Sequence, residues 1–163
     1  MSYMKKVSTL FLKIVLCLMA IGALALMLWL PQIEGRNANS DWLSLYFNDP
    51  FLAFAYVGTI PFFVALYQAF KLLRCIEQNK AFSQGSVEAL RNIKYCALAI
   101  IGFIVVAEIF VIISSPIGED SAGFVMLGII TTFSTFVIAV FAAVLQKLFQ
   151  NALDIKSEND LTV

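Results

Sequence analysis

The sequence contains no histidine, which removes the commonest acid–base group of neutral pH and the commonest metal ligand from the whole chain. Its three cysteines, Cys17, Cys75 and Cys96, are isolated and form no CxxC pair, so neither a zinc site nor a redox motif is indicated. Phosphate-binding glycine loops and the HExxH and GxSxG motifs are also missing. We therefore expect a protein that is not an enzyme and that holds no metal or cofactor.

Charged residues are also scarce, at 13% of the chain, and their formal sum is zero. A chain without a large basic surface is not expected to bind nucleic acid directly. Hydrophobic residues make up 61% of the chain, whereas soluble domains contain about 45–50%. A body of 163 residues cannot bury such an excess in its own core, so the predicted surroundings are a lipid bilayer.

Four apolar segments are each long enough to cross a bilayer, which takes a helix of about 20 residues. The sequence therefore predicts a single all-α membrane domain with four transmembrane helices in an antiparallel bundle. The predicted spans are residues 10–30, 51–73, 95–115 and 123–148. The segments between and after them are an outer loop at 31–50, a cytosolic loop at 74–94 and a cytosolic tail at 149–163.

The orientation follows from the basic residues that flank the spans, because cytoplasmic segments carry an excess of Lys and Arg. One side carries only Arg36. The other side carries ten basic residues: Lys5, Lys6, Lys13, Lys71, Arg74, Lys80, Arg91, Lys94, Lys147 and Lys156. We expect both termini and the loop between spans two and three to face the cytoplasm.

The third helix is expected to begin before its span. Ser83 can cap a helix that starts near Gln84, since its hydroxyl can accept from a free amide of the first turn. Val87 and Leu90 then recur at helical spacing and lead into the apolar segment. The third helix is therefore predicted to extend from the membrane into the cytoplasm.

Glu108 is the one ionisable residue well inside a predicted span. A carboxyl group in hydrocarbon is costly and is a candidate proton relay, cation ligand or substrate anchor. The alternative is structural, a hydrogen bond between Glu108 and a hydroxyl of the fourth helix such as Thr131 or Thr132. A functional polar site here would fit a small transporter, a channel subunit or a small-molecule sensor, and with only four spans such a protein would form a homo-oligomer.

Two short segments carry a resemblance to a known family. The run from Asn79 to Ser83, followed by the run from Val87 to Ile93, resembles the signature of a bacterial membrane family, domain of unknown function 2975. The C-terminal run from Ser157 to Val163 is similar to the acidic-DLT-aliphatic ending of that family, which often has Asn where this chain has Ser86. The resemblance implies four spans in the bacterial inner membrane.

The resemblance also implies a partner, because such proteins are often encoded beside a small Cro/repressor-type helix-turn-helix regulator. It suggests a membrane protein that holds or releases this cytosolic transcription regulator. The segments that carry the resemblance are predicted to be cytosolic, and the same pattern also fits a hairpin turn that only fixes two helices. The candidate partner-binding residues are Phe82, Ser83, Val87, Leu90, Arg91, Asp160 and Leu161.

Overall fold

The computed structural model describes residues 2–33, 50–114 and 121–160, and every regular element in these ranges is an α-helix. The four helices are α1 (Ser2–Ile33), α2 (Pro50–Glu77), α3 (Gln84–Ser114) and α4 (Ser121–Asp160). The all-α prediction is confirmed. The predicted outer loop at 31–50 and the turn before α4 lie mostly outside the described residues.

Each of the four helices is long and apolar enough to cross a membrane. Their apolar stretches have mean hydropathies between 1.5 and 2.9, highest in α3. Large apolar side chains such as Phe11, Ile113 and Phe133 are 65%, 78% and 69% exposed, respectively. Contact between so much apolar surface and water is unfavourable, whereas contact with lipid chains is not.

The helices pack against their neighbours in sequence, with α3 at the centre. It contacts α4 most extensively and α2 nearly as much, while α1 packs on α2 over a smaller area. Side-chain contacts fix the antiparallel direction of α3 and α4, since Lys94 hydrogen-bonds to Gln146 and Glu108 meets Gly128. The four-helix antiparallel packing is confirmed among the described residues.

The connection between α2 and α3 is a short turn whose first residues are hydrogen-bonded to the end of α2. Backbone N–H groups of Asn79 and Lys80 donate to the carbonyls of Ile76 (3.1 Å) and Cys75 (2.9 Å), respectively. This pair of bonds is the Schellman pattern, which satisfies the last carbonyls of a helix. It requires a left-handed residue, and Asn79 adopts φ 58°. Asn is one of the few residues other than glycine that tolerate this conformation.

Ser83 lies immediately before α3, at the position that a helix-capping residue occupies. Its carbonyl accepts from the N–H groups of Ser86 (3.0 Å) and Val87 (3.2 Å). Its hydroxyl oxygen lies 3.2 Å from that of Ser86, so its described partner is a side chain rather than a main-chain amide. The extended third helix is confirmed, because α3 begins at Gln84 rather than at residue 95, where the predicted span starts.

The most buried side chains lie at this polar end of the molecule. Ser86 is completely buried, and its hydroxyl donates to the Lys80 carbonyl at 3.4 Å. Small and apolar residues surround the same region of α3 and α4: Val87, Ala89, Leu90, Ala97, Ala139 and Ala142 are all at most 5% exposed. The tightest core is therefore at the start of α3, in and next to the predicted cytosolic loop.

Polar contacts attach α1 to α2 near both ends of the pair. At the polar end, Nζ of Lys13 lies 2.5 Å from Oε2 of Glu77 and 5.6 Å from the ring centre of Phe70. At the other end, the Tyr56 hydroxyl donates to the Met27 carbonyl at 3.0 Å. These polar contacts supplement an otherwise limited helix–helix surface.

We expect Ser86→Leu to destabilise the fold, because a larger side chain must enter a completely buried position. Overpacking of this kind costs about 1–3 kcal/mol, whereas Ser86→Ala should cost about 1 kcal/mol through the lost hydrogen bond. Denaturant unfolding in detergent micelles measures both changes. Gln84→Leu, at an exposed position on the same turn, is the matched control and should be nearly neutral. Equal stability of Ser86→Leu and Gln84→Leu would contradict this packing.

Candidate functional site

The carboxyl group of Glu108 fills a notch in the surface of α4. The notch exists because residue 128 is a glycine. A Cβ atom added to Gly128 would overlap with Oε1 of Glu108 and would lie 2.7 Å from its Cδ and 3.0 Å from its Cγ. The carboxyl therefore occupies the space that any other residue at position 128 would need for its own side chain.

The three polar residues of the first candidate site, Glu108, Thr131 and Thr132, form no hydrogen bonds with one another. Among the described residues, neither Oε1 of Glu108 nor the Thr132 hydroxyl has a hydrogen-bond partner, although both atoms are buried. The Thr131 hydroxyl donates at 2.8 Å to the Leu127 carbonyl of its own helix. The structural alternative, a hydrogen bond from Thr131 or Thr132 to Glu108, is thus not formed in this arrangement.

A cavity of about 170 Å³ adjoins the carboxyl between α3 and α4. Its walls are almost entirely apolar: Ile104, Ala107, Phe124, Leu127 and Gly128 line it together with Glu108 and Thr131. Thr131 therefore reaches the same cavity as Glu108. Thr132 lies one helical turn beyond Gly128, at the spacing that puts two residues on the same face of a helix.

No basic side chain accompanies Glu108 in the apolar parts of the two helices. Glu108 is the only charged residue in 95–113 of α3, and 123–146 of α4 has none. Lys13, near the start of the predicted first span, is paired with Glu77 at the polar end of α2. In the described ranges there is also no group of three or more potential metal ligands.

The second candidate site, at the polar end, splits into buried and exposed residues. Val87 and Leu90 are 5% and 3% exposed, so they pack the hairpin and present no surface to a partner. Ser83 is half-buried against Ser86. Phe82 is 52% exposed and Arg91 is exposed. The other two candidate residues, Asp160 and Leu161, have side chains outside the described part of the chain.

Phe82 lies between two features of this polar end. On one side its ring meets that of Phe149 in α4, edge to face, with centroids 5.1 Å apart. On the other side it borders an open groove of about 580 Å³ between α1 and the end of α2. The groove is lined by Ser8, Thr9, Leu12, Leu73, Ile76, Asn79, Ala81 and Phe82.

Sequence reasoning missed Gly128 and Ser86. Gly128 looked like one isolated small residue among several, yet it lies ten positions after Gly118 just as Glu108 lies ten before it. In two antiparallel helices joined by so short a segment, residues equally far from its middle in sequence are expected at the same height, and this spacing is the signal that could have paired them. Ser86 had no comparable signal, because its complete burial depends on how α2, α3 and α4 pack together.

We expect Gly128→Ala to be tolerated only through displacement of the Glu108 side chain, since the overlapping atoms belong to that flexible side chain rather than to backbone. Denaturant unfolding of wild type, Gly128→Ala, Glu108→Ala and the double variant should therefore show a coupling of about 0.5–3 kcal/mol. Gly128→Ala should cost stability with Glu108 present and little without it.

Gly102→Ala is the matched control, since an added Cβ at Gly102 has no heavy atom within 4 Å. It should be neutral in both backgrounds. Independent effects of Gly128→Ala and Glu108→Ala would contradict the contact between the carboxyl and the notch.

Comparison with known proteins shows which family the chain belongs to. The chain is 48% identical over 161 residues to the "Uncharacterized membrane protein YoaS" of Bacillus subtilis (strain 168), an alignment that covers 98% of this chain and 100% of that protein. No solved structure matches the chain. The sequence profile described as "Protein of unknown function (DUF2975)" matches residues 37–163. That profile covers most of the chain, and the full-length relative is a membrane protein. The chain therefore belongs to the DUF2975 family.

Proposed function

We propose that this membrane protein is a non-enzymatic regulator that binds a cytosolic helix-turn-helix transcription regulator through its polar end. The observation that carries the proposal is the length of α3 and α4. The two helices continue well beyond what a bilayer requires, and they remain packed against each other where they do so. This packed region, comprising the α2–α3 turn, the start of α3 and the end of α4, is called the platform below.

The length of α4 makes the argument quantitative. Its 40 residues correspond to about 60 Å at 1.5 Å per residue, against a hydrocarbon core of about 30 Å. The short connection between Ser114 and Ser121 keeps the other ends of α3 and α4 close in sequence. Most of the extra length therefore lies at the polar end, where α3 gains Gln84 to Lys94 and α4 gains the residues after Leu148.

Contacts within the platform support a preformed surface. Nζ of Lys94 donates to Oε1 of Gln146 at 3.0 Å, and Phe82 meets Phe149 one turn further from the membrane. Ser86 and Ala89 beneath them are completely buried. A surface that is ordered before binding loses little conformational entropy when a partner docks.

The exposed residues of the platform suit protein recognition. Phe82 and Arg91 are of the types, aromatic and Arg, that are enriched in protein interfaces. The ten basic residues on this side against one on the other favour a cytosolic position. A cytosolic partner fits that orientation, and the small helix-turn-helix regulators often encoded beside such proteins are the partner class we propose.

The direct test is co-purification of the full-length protein, in detergent, with each small helix-turn-helix regulator that its neighbouring genes encode. We expect wild type to retain the regulator, and we expect Phe82→Ala and Arg91→Glu each to weaken retention about tenfold or more, as truncation of interface hot spots does. Phe133→Ala, which shortens an exposed aromatic residue in the apolar part of α4, is the matched control and should retain the regulator fully.

Unfolding of each variant in the same detergent separates lost binding from lost structure, because Phe82 also contacts Phe149. A regulator that does not co-purify with folded wild type would contradict the proposal. So would a regulator whose cellular distribution is unchanged when this membrane protein is deleted.

A further inference from the structure

Glu108 lies at the end of α3 opposite to the platform, and its surroundings differ from those of the other carboxyl groups that the structure describes. It is six residues from the end of α3 at Ser114, about 9 Å along the axis. Its Oε1 is buried against Gly128, and apart from Glu108 itself and Thr131 the residues that line the adjoining cavity are apolar. Glu77, Glu88, Asp154 and Glu158 all lie on the polar side of the spans.

Nothing charged faces Glu108 from the helices packed on α3. Residues 123–146 of α4 include no titratable side chain, and those of α2 at 53–70 include only Tyr56 and Tyr67. The Tyr56 hydroxyl is already bonded to the Met27 carbonyl, and on α3 itself the only other titratable groups in the span are Tyr95 and Cys96. In this arrangement a carboxylate would have no counter-ion and would accept no hydrogen bond, since the Thr131 hydroxyl donates to the Leu127 carbonyl and the Thr132 hydroxyl forms no bond with Oε1.

The notch accepts a neutral carboxylic acid far better than a carboxylate. Burial of an unpaired charge costs much more than burial of a neutral polar group, and in hydrocarbon this difference decides the protonation state. Without its own Cβ, Gly128 lets the acid lie directly on the α4 backbone, whose N–H groups are already bonded to carbonyls one turn back in the helix.

We propose that Glu108 is a proton-binding site that responds to acidity on the outer side of the membrane. In the packed α3–α4 pair the carboxyl holds a proton and fills the Gly128 notch. Loss of the proton leaves a carboxylate that the notch cannot hold, so the side chain must leave toward water, which is within about 9 Å along the helix. The adjoining cavity at Ala107, Phe124 and Leu127 gives the side chain room for this movement. The proposal is independent of partner binding at the platform.

The test uses dicyclohexylcarbodiimide on the full-length protein in membrane vesicles. A protonated carboxyl in lipid gives its proton to a carbodiimide nitrogen while its oxygen bonds to the central carbon. An oxygen-to-nitrogen acyl shift then yields a stable N-acylurea, so the whole reagent is added and nothing leaves. Peptide mapping by mass spectrometry identifies the modified residue and its extent at each pH.

We expect Glu108 to be the main modified residue, with an extent that falls as the pH of the outer solution rises. Glu108→Gln should lose this adduct completely. Glu88→Gln, which removes a carboxyl from the polar end of the same helix, is the matched control and should leave the adduct unchanged. Gly102→Ala should keep the wild-type pH profile, whereas Gly128→Ala, which takes the notch away, should shift it.

Three results would overturn the proposal. The first is a folded wild-type protein in which Glu108 stays unmodified at acidic as well as neutral pH. The second is modification of Glu108 to the same extent across the whole pH range. The third is a Gly128→Ala profile that coincides with that of Gly102→Ala, because the notch would then have no part in holding the acid.

Discussion

The packing of α3 between α2 and α4 is the interaction on which the rest of this structure depends. Lipid chains are as apolar as the side chains that face them, so helices in a bilayer associate through close contact rather than through hydrophobic burial. Small residues permit that contact here. Ala89 and Ala97 of α3 and Ala139 and Ala142 of α4 are almost completely buried. Gly58 of α2 lies under Phe103, whose ring would be 3.4 Å from a Cβ at that position.

The same central helix joins the two candidate sites and keeps them apart. Leu90, in the core of the platform, and Glu108 are 18 positions apart on α3, about 27 Å along the axis. The platform is held by apolar packing, by Ser86 and by the Lys94–Gln146 bond, whereas the Glu108 site depends on one glycine of α4. A substitution at one site therefore contacts no residue of the other site, and its effect can be assigned to the site that carries it.

Much of the fold could be predicted from the sequence because the controlling signals are local. Apolar runs of membrane-spanning length indicated four helices, and Ser83 marked the start of α3. The end of α2 also depends on a local feature, since Asn79 is a residue that accepts the left-handed conformation observed there. Each of these features depends on a few neighbouring residues, not on how the helices pack together.

The sites were less predictable because they depend on contacts between helices. Glu108 was predicted from its position inside an apolar run of the sequence. Its contact with Gly128 could not be predicted in this way, because it depends on the register of α3 against α4. Val87 and Leu90 were offered as partner-binding residues, and their burial shows that the same spacing serves helix packing. Periodicity identifies the face of a helix that is apolar, and the partner of that face is decided by tertiary structure.

The central claim, that α3 and α4 leave the membrane together on the cytosolic side, is tested most directly by thiol accessibility. Single cysteines replace Asn151 in the platform and Phe133 in the apolar part of α4, with Cys17, Cys75 and Cys96 changed to alanine. A membrane-impermeant maleimide is then applied to intact cells and to inverted vesicles. The structure and the basic-residue asymmetry predict that position 151 reacts only in inverted vesicles and that position 133 reacts in neither. Reaction of position 151 in intact cells, or in neither preparation, would contradict the account.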